Sequence, residues 1–347
     1  MHSFRRLLLV LLLSFGLLNV MLAFHAYRFT YFYETHEVPW RRPEDIPTAE
    51  KITQALTGFR FGKRPVTDFP GEPFETLFLK NERGQCLEGW YTHAAQPKGT
   101  VLLFHGHAAN KANLREEQAY FRSLGFNTLA VDFRAHGNSQ GNVCTIGYRE
   151  VGDVKAAYDS VRGRGETRLV LWGVSMGAAT LLKALHDFPE IQPDRLILEC
   201  PFGSMQDAVD GRLRSMNLPT APFTQLLMLW GSAERAMWGF GYRPTDYARS
   251  VRCPTLLHWG TRDNRVLRAE TDAVFANLAA PIKKLVVFER SGHQSFCQNE
   301  PKRWRAEVAR FLGVPEPTLA RHAGVQPTAT HPNHPDPRMN SATSSPQ

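Results

Sequence analysis

The chain has 347 residues, 43% of them hydrophobic and 21% charged, an ordinary globular composition able to bury one substantial core, so one main domain is expected. Its formal net charge of +8 comes from Lys and Arg residues that are scattered rather than gathered into a run, and no nucleic-acid partner is expected. Five cysteines without a Cys-x-x-Cys pair fit neither a dense disulfide framework nor a zinc site.

Residues Leu7 to Phe24 are apolar apart from Ser14, Gly16 and Asn19, about the lower limit for a helix that crosses a bilayer. Arg5 and Arg6 precede this stretch, and an aromatic flank of Tyr27, Phe29, Tyr31, Phe32 and Tyr33 follows it, as interfacial side chains do. No small-residue cleavage site of the A-x-A kind follows Met21, so residues 1–33 read as an uncleaved signal anchor. The positive-inside rule then places the two arginines in the cytoplasm and the rest of the chain beyond the membrane. A buried N-terminal helix is the alternative. Residues 34–73 are rich in Pro and charge and read as a connector with a short helix near Glu50 to Leu56.

From residue 74 a strand and helix rhythm begins, and it runs to 314. Phe74–Leu79 and Cys86–His93 suit a hairpin, and Thr100–Phe104 is a buried apolar run. Helical spacing at Lys111–Ser123, Gly147–Arg162 and Met176–Asp187 alternates with strands at Asn127–Phe133 and Arg168–Trp172. Strands at Arg195–Cys200, Thr255–Trp259 and Lys284–Phe288 and a closing helix at Glu300–Leu312 complete a mostly parallel sheet covered on both faces, a three-layer α/β/α sandwich. Residues 202–251 are far longer than the connection between two strands requires. Their apolar content, with Met205, Met216, Leu226 to Trp230, Met237 and Trp238, suits a small helical cap over a pocket, or else an elaborate crossover. The tail 315–347 has almost no apolar residues and is expected to be disordered.

Gly173-Val174-Ser175-Met176-Gly177 follows an apolar strand and opens a helical run. That context is the nucleophile elbow, where a sharp turn projects the Ser175 hydroxyl above the sheet and small residues at 173 and 177 avoid neighbouring backbone. A serine hydroxyl needs a base to take its proton and a carboxylate to hold that base in the right tautomer. His293, in Ser291-Gly292-His293, and Asp263, in Gly260-Thr261-Arg262-Asp263, each follow a strand and supply the two. The oxyanion of a tetrahedral intermediate needs two N–H donors. The backbone of Met176 is one, and His107, with Ala108 as the alternative, is the other, from the loop His105-Gly106-His107-Ala108. Reading His105 and His107 as a metal pair lacks a third ligand, so no metal is expected. His136 reads as a loop residue.

Together these motifs resemble the α/β-hydrolase superfamily, and within it the group of membrane-associated monoacyl-lipid hydrolases and protein depalmitoylases. The carriers are His105-Gly106, Asp132-Phe133-Arg134 with Gly137 and Ser139, Gly173 to Gly177, Cys253-Pro254-Thr255 leading to Asp263, and Gly292-His293. The resemblance implies an eight-stranded sheet, ester, thioester or amide hydrolysis through an acyl-enzyme, and no cofactor. It leads to a serine hydrolase cleaving a carboxylic ester of a small molecule or acyl lipid, with a thioesterase or serine peptidase as the alternative. A non-catalytic, membrane-tethered binding protein of the same fold is the rival from another class. Cys144 and Cys297 fall on loops at the carboxyl edge of the expected sheet, where a disulfide between them is compatible with export. Cys200 and Cys253 are expected at opposite ends of neighbouring strands, and unbonded.

Overall fold

Five strands read as nearly unbroken apolar runs, and the structure buries them on both faces, as a parallel sheet covered by helices requires. The computed structural model describes residues 2–39, 41 and 46–316. The chain opens with helix α1 (His2–Phe29), strand β1 (Phe32–Tyr33), helix α2 (Thr48–Thr57) and strand β2 (Phe61–Gly62), which pairs with β1 in parallel. A hairpin of β3 (Phe74–Lys80) and β4 (Cys86–Thr92) follows. Then come β5 (Thr100–Phe104), α3 (Arg115–Ser123), β6 (Asn127–Val131), α4 (Val151–Gly163), β7 (Leu169–Val174), α5 (Met176–Asp187) and β8 (Arg195–Glu199). Helices α6 (Met205–Ser215), α7 (Phe223–Glu234) and α8 (Pro244–Tyr247) fill the interval before β9 (Thr255–Gly260). Helix α9 (Arg268–Asn277), β10 (Lys283–Phe288), α10 (Phe296–Asn299) and α11 (Pro301–Leu312) end the fold.

The eight strands lie in the order β10-β9-β8-β7-β5-β6-β4-β3. Only the β3–β4 and β4–β6 pairs are antiparallel. One face carries a core that includes Val154, Val161, Leu181, Leu185 and Val274, and the other a core with Phe121, Trp172, Trp304 and Val308. This is the expected three-layer sandwich. Strand order reverses beside β5, where β6 lies on one flank and β7 on the other, and a crevice opens at the carboxyl ends of strands at such a point.

Several boundaries differ from those expected, for local reasons. Helix α4 starts at Val151 rather than Gly147, because the Glu150 carboxylate accepts the N–H groups of Thr145 and Gly147 and holds 145–150 as a turn. Lys111–Leu114 is a short 3-10 turn capped by the Asn110 side chain, and α3 follows it. Helix α9 has no counterpart in the expected elements. Its sequence, RAETDAVFAN, buries only Glu270, Thr271 and Val274 and so lacks an apolar stripe.

The sixteen-odd residues at the start of α1 are exposed, with Phe4, Leu13 and Leu17 at 71%, 64% and 72%, and burial begins at Leu22. This helix is long and apolar enough to cross a membrane. Its last turns are not free, since they pack on α7. The residues between α1 and β3 are stitched to the sheet domain as well: Phe32 is buried and its N–H reaches Asn142 O at 2.7 Å, while the Asn110 amide reaches Arg64 O at 3.0 Å. The tail from residue 317, where disorder is expected, lies outside the described residues.

The compatibility of Cys144 and Cys297 with a disulfide is corrected by the fold. Both follow the carboxyl edge, but Cys144 packs in the core on one face of the sheet and Cys297 in the core on the other, and all five cysteines are free. Cys200 directly follows β8, whereas Cys253 precedes β9, so that pair sits at opposite ends of parallel neighbours.

Candidate active site

Ser175 stands between β7 and α5 with φ 52° and ψ −116°, a left-handed backbone that a non-glycine residue adopts only under constraint. Its N–H is tied to Glu199 O of the adjacent strand at 2.8 Å. The flanking glycines follow from space: a Cβ on Gly177 would lie 2.3 Å from Phe104 O, and one on Gly173 2.8 Å from the backbone carbon of Gly177. The strand, turn and helix therefore close only around small residues.

The Ser175 hydroxyl lies 2.8 Å from His293 Nε2, and His293 Nδ1 lies 2.8 Å from Asp263 Oδ2. With the Nδ1–H donated to the carboxylate, Nε2 is left to accept the Ser175 O–H. Asp263 is buried, and its other oxygen accepts the N–H groups of Arg265 and Val266 at 2.8 and 2.9 Å, which fixes the carboxylate in the turn after β9. The structure thus brings Ser175, His293 and Asp263 into one hydrogen-bonded line. Cys200 Sγ, an Asp263 oxygen and a His293 nitrogen lie within 4.8 Å of one another, a grouping that could in principle hold a metal. Burial, with the charges of Asp263 and Glu199, raises the Cys200 thiol well above its ordinary range.

Met176 begins α5, where an N–H has no partner within the helix. In the facing loop, the Ala108 N–H donates to His136 Nε2 at 3.1 Å. His136 in turn donates Nδ1–H to Arg134 O at 2.9 Å, and burial pushes its imidazole down to about 3. His105 is locked in the same manner, with Nδ1–H donated to Gly106 O at 2.7 Å and Nε2 accepting the Phe133 N–H at 3.1 Å. Burial pushes His105 down to about 4. Both nitrogens of His105 are committed to backbone, so it has no lone pair to give a metal together with His107.

A cavity of about 530 Å³ surrounds the Ser175 hydroxyl. Phe202, Val209 and Arg212, from β8's exit and α6, are among its lining residues. Arg212 and Arg265 both face it, and neither makes an ion pair with a carboxylate among the described residues. Burial, then the charge of Arg265, holds Arg212 below its ordinary range. On another wall Glu117 is buried, accepts Ser295 Oγ–H at 2.5 Å, and is pushed up to about 7 by burial. Beneath the crevice the Glu199 carboxylate gathers the Trp172 and Trp304 indole N–H groups and His258 Nδ1 at 3.2, 2.5 and 3.1 Å. Sequence reading left His136, Glu117, Glu199, Arg212 and Arg265 out of the site. Only Arg134-Ala135-His136-Gly137-Asn138-Ser139, quoted as a motif, carried a signal.

A family described as serine aminopeptidase, S33, matches residues 95–237. The uncharacterized protein YqkD of Bacillus subtilis (strain 168) is 23% identical over 66% of this chain and 76% of its own length. Lysophosphatidylserine lipase ABHD12 of Xenopus tropicalis is 25% identical over 74% of this chain and 64% of its own, and the Mus musculus form is matched over 54% of its length. The chain therefore spans about half to two thirds of these lipases. The esterase PF2001 of Pyrococcus furiosus superposes with a TM-score of 0.60 at 22% identity, over 73% of this chain and 98% of that one, a likeness of fold. The sheet order, the elbow and these relatives define a hydrolytic enzyme. The chain has the α/β-hydrolase fold and is similar to these hydrolases.

Proposed function

We propose that the chain is a serine hydrolase that cleaves the carboxylic ester of an acyl lipid through an acyl-enzyme on Ser175. The observation that carries this reading is the hydrogen-bonded line from the Ser175 hydroxyl through His293 to Asp263, at 2.8 Å in both steps. His293 Nε2 takes the Ser175 proton as Oγ bonds to the ester carbonyl carbon, and Asp263 stabilises the resulting imidazolium. The carbonyl oxygen, now negative, receives the N–H groups of Met176 and His107. The intermediate collapses by expelling the alkoxide, which leaves with the proton from His293. Water then attacks the acyl carbon, gives its proton to His293, and returns Ser175 with a free carboxylic acid.

Lipid as the substrate class is supported by the apolar α1, by the insertion over the cavity, and by relatives named as lysophosphatidylserine lipases. Arg212 and Arg265 on the cavity wall suit an anionic leaving group. In this reading α1 is a single membrane anchor, residues 202–251 are a cap, and Arg5 and Arg6 place the hydrolase domain on the extracytoplasmic side. The serine aminopeptidase description of the matched family favours, as the second reading, amide or thioester cleavage by the same three residues. The test is labelling of the full chain with a fluorophosphonate, followed by turnover of ester, thioester and aminopeptidase substrates. Labelling is expected to vanish in Ser175→Ala, and labelling that persists in that variant rejects Ser175 as nucleophile.

A further inference from the structure

A second cavity of about 510 Å³ lies beside the one at Ser175, within the size range of small-molecule sites. Leu22, Ala26 and Phe29 of α1 form one wall, and Met205, Leu227 and Met228 of α6 and α7 form the facing one. Phe29, Phe61, Ile146, Val209 and Arg212 line both cavities, so the two share a wall. At the far side Met216 and Leu218 line the cavity and are 41% and 46% exposed, so it also reaches the surface next to α1.

The position of this cavity follows from the length of α1. The apolar run Leu7–Phe24 spans about 27 Å at 1.5 Å per residue, close to the roughly 30 Å thickness of a bilayer's hydrocarbon core. The last turn of α1, from His25 to Phe29, then leaves the bilayer, and this end of the helix is fastened to α7. Trp230 Nε1–H donates to Asn19 Oδ1 at 3.2 Å, and the Arg235 guanidinium donates to Tyr27 O and Thr30 Oγ1 at 2.7 Å each. A cavity walled by the emerging helix therefore opens at the lipid surface. Its walls are almost wholly apolar, so an ionised group would be costly to place there, whereas a hydrocarbon chain loses nothing but water.

We propose that this cavity is the acyl-chain site: the hydrocarbon chain of the ester whose carbonyl sits at Ser175 passes Phe29 and lies between α1 and the insertion, having left the bilayer along α1. The membrane helix is then part of the substrate site and more than a tether. This assignment rests on the ester-hydrolase reading given above.

The test uses the full chain in detergent micelles and two substitutions deep in the cavity, away from Ser175. Gly231→Leu adds a side chain where a Cβ would meet only Ala26 Cβ, at 3.9 Å, and Leu227→Trp fills the space one turn earlier on α7. The readout is the ratio of kcat/KM for hexadecanoyl and butanoyl nitrophenyl esters, with the fluorophosphonate labelling rate reporting that the site is folded. Each excluded methylene is worth roughly fourfold, so the ratio is expected to fall by at least about tenfold in each variant while labelling persists. A ratio that stays at the wild-type value in both variants overturns the acyl-chain site and leaves Ser175 untouched. Absence of labelling in the wild-type chain strikes the nucleophile instead. The cavity is then judged by photocrosslinking of an ω-diazirine hexadecanoate, which is expected on peptides covering 205–231, and whose absence there overturns the proposal.

Discussion

His136 Nε2 accepts the backbone N–H of Ala108, so the loop after β5 is pinned to the loop after β6 by an imidazole that never meets the substrate cavity's nucleophile directly. Ala108 has φ 59°, a conformation that such a bond helps to hold, and the residue before it is the proposed second oxyanion donor. His136 is in this sense a positioning residue.

Replacing it with alanine is expected to loosen the loop and lower kcat by about 10- to 100-fold, less than the roughly 100- to 1000-fold of losing an oxyanion donor outright, with KM nearly unchanged. His136→Gln, which keeps an acceptor, is expected to recover part of the loss. A rise in KM at constant kcat, or failure of glutamine to recover anything, would show a different role. Because burial pushes His136 and His105 down to about 3 and 4, neither is expected to contribute an inflection to the kcat profile above pH 5.

Glu117 has the opposite displacement. Burial, against the hydrogen bond from Ser295, pushes its carboxyl up to about 7. A carboxyl raised in the folded state binds its proton more tightly there than when unfolded, near pH 4.5. Its favourable contribution is therefore complete below about pH 4.5 and is lost as pH rises through 7, at about 1.4 kcal/mol per pH unit between them. Glu117→Gln removes that slope. Denaturant midpoints are expected to show the variant gaining on the wild type between pH 5 and pH 8, by roughly 2 to 3 kcal/mol. A difference that does not change with pH would contradict the protonated state.

Lys111 is wholly buried, with its ammonium 2.5 Å from Asp132 Oδ2, 2.9 Å from Glu88 and 4.7 Å from the Trp90 ring centroid. Asp132 also accepts the N–H groups of Lys111 and Asn138, and so ties together the same two loops that His136 bridges. Lys111→Met strands a buried carboxylate and is expected to cost about 3 to 5 kcal/mol. The double variant Lys111→Met with Asp132→Asn is expected to cost less than the sum of the single ones by more than about 1 kcal/mol, measured as a double-mutant cycle. Additive costs would mean that the pair is not coupled.

The placement of Ser175, Asp263 and His293 was legible because each lies in the turn or loop after a largely apolar strand, and parallel strands deliver their carboxyl ends to one edge. The face on which a loop then lands was not legible. Cys144 and Cys297 both follow that edge, and only the three-dimensional path sends them into different cores. The same limit hid His136, whose partner lies 28 residues away, and Phe29, whose neighbours include Arg212 of α6 and the loop at His107. Helix α9 was missed for another reason, since its polar surface leaves no periodic stripe to read.

The ring of Phe29 stacks on the imidazole of His107 at 4.6 Å, with 18° between the planes. The last residue of α1 is thus the roof of the His105-Gly106-His107 loop beside Ser175. A shortened form beginning at Thr30, the obvious choice for handling such a chain without detergent, would strip that roof away and let water onto a buried histidine. Rates measured on it would describe a wider, wetter vestibule than the one the intact chain encloses.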